Sequence, residues 1–158
     1  MADTYTVSRS IEIAAPPARI YEQIADFHNW TQWSPWEDMD PAMQRDYSGS
    51  PSGPGAAYAW SGNSKAGKGR MEIVSVHEPS DVKIDLAFEK PFKSRNEIVF
   101  AVQPTGTGSK VTWTMIGPKT FGIRLMSLVK PMDKMIGPDF ERGLDRLKNV
   151  TEAAPEPA

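Results

Sequence analysis

His28 and His77 are the only imidazoles in the chain, and neither has a second histidine or a carboxylate at metal-ligand spacing. Zinc catalysis is not indicated, and no metal or other cofactor is expected. The chain has no cysteine, which removes thiolate nucleophiles, thiolate metal sites and disulfides together. No Gly-x-Ser-x-Gly elbow presents an activated serine. Acid–base work would have to come from Glu37, Glu72, Glu89, Arg70, Arg95 or Tyr58, placed where apolar walls raise a carboxyl pKa. His28 follows a helix and reads as a cap or a solvent-facing residue; His77, before Glu78 and Pro79, reads as a turn residue.

One stretch invites a phosphate-binding reading. Gly62 to Arg70 holds three glycines, two lysines and an arginine, and glycine-rich turns can cradle anions with backbone N–H groups. The phosphate-loop spacing is absent, and a strand rather than a helix is expected after Arg70, so the segment reads as a hairpin. Arg70 and Glu72 share one strand face, where they are candidates for polar ligand contacts or for pairing with each other.

The elements that must position these residues follow from hydrophobic period. Thr4 to Ile13 alternates as a half-buried strand, and Ala14-Ala15-Pro16-Pro17 stops it. Proline suits a first helical turn, so Ala18 to Phe27 is expected as a helix, followed by a short helix and turn through the aromatic cluster His28 to Trp36. Trp30, Trp33 and Trp36 in that cluster read as fasteners of the first helix. Further strands are expected at Pro41 to Tyr47, Ala56 to Gly62, Gly69 to His77, Val82 to Glu89, Arg95 to Val102 and Lys110 to Gly117. The dense turn signal Ser48 to Gly55 separates the first two. In the last third, Leu125, Val129, Met132, Met135, Ile136, Phe140, Leu144 and Leu147 recur at helical spacing, opposite a charged face. The order of strand, helices, about six strands and helix favours an antiparallel α+β sheet. Residues 1–150 are expected to form a single ligand-binding domain and 151–158 a disordered tail.

A chain of 158 residues with 18 basic and 20 acidic side chains carries a formal charge of -2, so no global field draws it to nucleic acid. No segment has the roughly 20 apolar residues of a membrane span, and the start lacks the basic and apolar regions of a signal peptide. The expectation is a cytoplasmic protein with no integral membrane association, a monomer or weak homodimer.

The Ile11-x-Ile13-x-Ala15-Pro16-Pro17 opening, Ile20-Tyr21-Glu22-Gln23-Ile24-Ala25-Asp26 and the Trp30/Trp33 pair resemble the START-like (SRPBCC) superfamily. Gly62-Asn63, Ala66-Gly67, Gly69-Arg70-Met71, Phe88-x-Lys90-Pro91-Phe92, Trp113-Thr114-Met115 and Met132-Asp133-Lys134-Met135-Ile136-Gly137 are similar to a bacterial subgroup of its polyketide cyclase/dehydrase-like branch. The resemblance covers roughly Thr4 to Val150. It implies a helix-grip fold: a curved antiparallel sheet of about seven strands around a long C-terminal helix, with two short helices after the first strand and an apolar tunnel between sheet and helix. Members bind lipids, sterols, polyketides or aromatic compounds, and a minority are cyclases or hydrolytic enzymes.

With the sheet concave toward the helix, Tyr58, Trp60, Met71, Leu86, Phe88, Phe100, Trp113 and Met115 are expected to line the tunnel, and Met126, Val129, Met132, Met135 and Ile136 to close it. Methionine adapts to irregular apolar shapes, which suits a variable ligand. The expected function is binding of a hydrophobic small molecule such as a lipid, polyketide or aromatic metabolite, in a pocket of roughly 300 to 1,000 Å³. The alternatives are a cyclase- or dehydratase-type enzyme acting on a polyketide-like substrate, and a regulatory or stress-related interaction module.

Overall fold

A computed structural model describes residues 4–35, 40, 42–63, 67–90, 93–119 and 131–153. Seven strands make one sheet: β1 (Thr4–Ile13), β2 (Gln44–Gly49), β3 (Ala56–Ser61), β4 (Lys68–His77), β5 (Asp81–Lys90), β6 (Ser94–Pro104) and β7 (Ser109–Pro118). Their spatial order is β1-β7-β6-β5-β4-β3-β2, with antiparallel neighbours throughout. Helix α1 (Pro17–Ala25) and a 3-10 helix (Phe27–Gln32) follow β1, and α2 (Met132–Ala153) ends the chain. This is the curved helix-grip arrangement expected from the sequence.

Alternation builds the sheet's two faces. In β7, Val111, Trp113 and Met115 are buried while Lys110 is exposed, and β6 buries Asn96, Ile98, Phe100 and Val102 in the same rhythm. Helix α2 lays Phe140, Leu144, Leu147 and Thr151 into that concave face, all essentially inaccessible. It runs through Ala153, three residues into the segment expected as a tail. One local and one tertiary contact hold it there: Thr151 Oγ1 donates to Leu147 O one turn back at 2.7 Å, and Arg19 Nη2 from α1 donates to Thr151 O at 2.8 Å.

Both ends of α2 are tied to β1 or the turn after it. Arg9 on β1 grips Asp133 through two N–H···O bonds of 2.9 and 3.0 Å and reaches its carbonyl at 3.3 Å. An acidic side chain in a helix's first turn also complements the helix dipole. The Arg9 hydrogen bond holds the Asp133 carboxyl below its ordinary range. At the other end Ala14 N–H donates to Glu152 at 2.8 Å, which, with Lys148, lowers that carboxyl too.

The aromatic cluster after α1 completes the helix's hydrogen bonding. A helix leaves its last four carbonyls without internal donors. Here Glu22 O accepts from Asn29 Nδ2 at 3.0 Å, Gln23 O from Trp33 Nε1 at 3.1 Å, Ile24 O from Trp30 Nε1 at 2.8 Å and Ala25 O from Gly53 N at 2.9 Å. Trp30 and Trp33 therefore fasten α1, as their place in the sequence suggested. Trp36 lies outside the described residues. Among those residues no helix is long and apolar enough to cross a membrane.

Candidate functional site

Between the concave sheet face and α2 lies a partly open cavity of about 70 Å³. This is well below the 300 to 1,000 Å³ expected. Rings account for much of the difference. Trp30, Trp33, Phe100, Trp113 and Phe140 pack against one another, with Trp113 stacked on Phe140 at 4.1 Å and 6° and on Phe100 at 4.9 Å and 29°. Gly143 lets the helix come this close, because a Cβ there would sit 2.8 Å from Pro35 Cδ and 2.9 Å from the Trp113 ring. Offset and edge-on ring pairs contribute about 0.5–1.5 kcal/mol each beyond burial, so this wall is stiff.

The rest of the lining is softer. Met43, Met71 and Met115 face the cavity with Leu86 and Ile98, and thioether chains adjust to shape at little cost. Trp60, Phe88 and Ile136 are the half-exposed members of the lining.

Of the residues expected to bind ligand, Tyr58, Trp60, Met71, Leu86, Phe88, Trp113, Met115 and Ile136 converge on the cavity. Phe100 is fully buried behind it, as a buttress to Trp30, Trp33 and Trp113. Met135 is half-buried and packs on the core without reaching the lining. Met126 and Val129 lie outside the described residues, as does the Met132 side chain. Arg70 and Glu72 flank Met71 on the other face of β4, where they pair with each other at 3.2 Å. Trp30, Ser34, Met43, Ile98 and Phe140 complete the wall. Ile98 and Phe140 had the right spacing in the sequence; Trp30 shows that one residue can cap a helix with its N–H and line a cavity with its ring.

The lining is almost wholly apolar. Among the described residues it contains no charged side chain and no imidazole. His28 Nδ1 donates to Asp26 Oδ1 at 2.9 Å and its ring stacks on Tyr47 at 4.0 Å; His77 Nδ1 donates to Asp81 Oδ1 at 3.1 Å across the β4–β5 turn. Neither belongs to the cavity. In the Gly62 to Arg70 stretch, Gly62 N–H donates to Gly67 O at 2.9 Å and Gly67 N–H to Asn63 O at 2.8 Å, and Lys68 to Arg70 already belong to strand β4. Among the described residues no group of three or more acidic, histidine or cysteine side chains could hold a metal. A second, more open groove of about 260 Å³ lies between Phe27, His28, the end of β2 with Ser50 and Pro51, and Ala56 and Ala57 of β3; His28, Ser48 and Ser50 mix polar groups into its apolar lining.

The family model for polyketide cyclase / dehydrase and lipid transport matches residues 4–152. Comparison with curated proteins returns no match. Among solved structures, protein CV1439 from Chromobacterium violaceum shares 12% identity at a TM-score of 0.68, over 94% of this chain and 99% of that one. MLL2253 from Mesorhizobium loti shares 16% at 0.69, over 96% and 100%. The Aha1 dimer from Colwellia psychrerythraea shares 17% at 0.62, over 96% and 99%. At these identities the likeness is one of fold.

Proposed function

The chain belongs to the polyketide cyclase / dehydrase and lipid transport family, and from that membership we propose that it binds a small, uncharged apolar molecule beneath α2. The observation that carries the reading is the uncharged apolar lining, stiff on the ring side and adjustable on the methionine side. Transfer of apolar surface out of water contributes about 25 cal/mol per Å², and a charge would lose hydration here without a described partner. The cavity volume sets the size. An apolar cavity of about 150 Å³ admits benzene, so 70 Å³ suits a molecule no bulkier unless the methionines and the half-exposed Trp60, Phe88 and Ile136 give way.

A cyclase-type reaction requires an acid or base beside the substrate. Of the acid–base candidates among the described residues only Tyr58 lines the cavity, with no carboxylate or imidazole of those residues beside it, so binding is the better supported reading. Edge strand β2 carries Arg45 and Asp46 exposed, and edge charges discourage strand-to-strand pairing, which fits a monomer or weak homodimer. The test is native mass spectrometry of the protein purified from its own host, with extraction of what it carries. A stoichiometric apolar adduct of low mass supports the proposal; an adduct that is anionic or lipid-sized overturns it.

A further inference from the structure

Beside the apolar cavity, the same concave face carries a buried polar cluster. Asn96, 3% exposed, pairs across the ladder with Leu86; Leu86 pairs with Met71, and Met71 with Tyr58. The last three all line the cavity. Asn96 thus extends this row of inward-facing residues by one strand, next to the lining rather than in it, two residues along β6 from Ile98.

The amide has two partners. The Tyr5 phenol donates to Asn96 Oδ1 at 3.1 Å, and Asn96 Nδ2 donates to Ser94 Oγ at 3.2 Å. An asparagine side chain offers two donor hydrogens and two acceptor lone pairs. Among the described residues, one Nδ2 hydrogen and one Oδ1 lone pair are left over. Burying such capacity has a cost unless something uses it.

Gly117 shows that room is kept for this group. It faces Tyr5 across the β1–β7 ladder, and a Cβ there would overlap both Asn96 Oδ1 and the Tyr5 phenol oxygen. Its backbone has no left-handed φ to explain a glycine. Glycine inside a strand weakens it and marks a place of close approach.

We propose that Asn96, held by Tyr5 and cleared by Gly117, is a polar anchor for a single neutral oxygen, of the ketone or aldehyde class, on the apolar molecule bound in the cavity. The carbonyl oxygen accepts the spare Nδ2 hydrogen, and the Ser94 hydroxyl supplies a second donor. The anchor rests on the binding function proposed above and narrows it from apolar molecules in general to those with one hydrogen-bond acceptor.

The experiment is an NMR titration with three probes of similar shape and smaller than benzene: isobutene, acetone and acetate. A net hydrogen bond corresponds to roughly a fivefold change in affinity. The ratio of acetone to isobutene affinity should therefore fall about fivefold in Asn96→Leu, with isobutene binding retained and acetate unbound by either protein. A ratio unchanged within twofold overturns the anchor alone, as does acetate binding as tightly as acetone. Failure of both neutral probes to bind the unaltered protein overturns the cavity function and the anchor together. Tyr5→Phe serves if Asn96→Leu does not fold. It frees Oδ1 as an acceptor, so 2-propanol should gain about threefold over acetone; no gain overturns the anchor.

Discussion

Phe140→Ala removes a ring that is fully buried, stacks on Trp113 at 4.1 Å and 6°, and forms part of the cavity wall. Truncating a core phenylalanine to alanine costs about 3–5 kcal/mol, combining lost transfer energy with the space left behind. The loss of the stack places this site at about 4 kcal/mol. For a chain of this length each kcal/mol lowers Tm by about 2–4 °C, so the expected drop is about 8–16 °C. Urea unfolding followed by circular dichroism gives the free energy, and calorimetry gives Tm. The vacated space joins the 70 Å³ cavity and should admit benzene. At a hundred times its Kd, benzene returns about 2.7 kcal/mol to the variant. A loss below about 1.5 kcal/mol, or a variant that benzene leaves unchanged, would refute the reasoning that this ring divides core from cavity.

Three further outcomes are expected. Leu86→Trp fills the cavity, costs about 1–3 kcal/mol by overpacking, and should abolish uptake of apolar probes smaller than benzene, read by NMR shifts of the lining methyls. Asp133 is held low chiefly by its hydrogen bond to Arg9. Its folded value lies below the unfolded value of about 3.9, so its stabilisation is present above that value and lost as pH falls through the folded one; Asp133→Asn should flatten the acid limb of a stability–pH curve below about pH 4. Burial pushes the Tyr5 phenol up to about 12. The unfolded phenol ionises near pH 10, so its stabilisation is lost as pH rises from about 10 to 12; Tyr5→Phe should remove a step near pH 12 from an ultraviolet titration.

Residue patterns carried most of the fold. The β1 bounds coincide with the alternating stretch Thr4 to Ile13, because one face is buried and the Ala-Pro punctuation after it is unambiguous. Strand β2 was displaced from the expected Pro41 to Tyr47 to Gln44–Gly49. As an edge strand exposed on nearly every residue, it has no buried face for hydrophobic spacing to report. The end of α2 is held by Arg19 of α1 bonding the Thr151 carbonyl, a contact across 132 positions that no local pattern encodes.

The cavity was legible in part. Parity along each strand separates inward from outward residues, which is why Met71 faces the cavity while Arg70 and Glu72 pair outside. Parity does not rank inward residues. Ile98 and Phe100 share a face of β6, yet only Ile98 reaches the lining, because Trp30 and Trp33 cover Phe100. Cavity volume is a difference between packed shapes, and spacing along one strand says nothing about how far facing rings intrude.

The most direct test of an apolar binding cavity beneath α2 is methyl NMR under xenon pressure, since xenon enters apolar cavities and forms no hydrogen bonds. Saturable shifts are expected at the Met71 and Met115 methyls and at Ile98 and Ile136, with none at Val74, which is 47% exposed and lies outside the lining. Absent shifts at the four lining residues, or shifts of equal size at Val74, would contradict it.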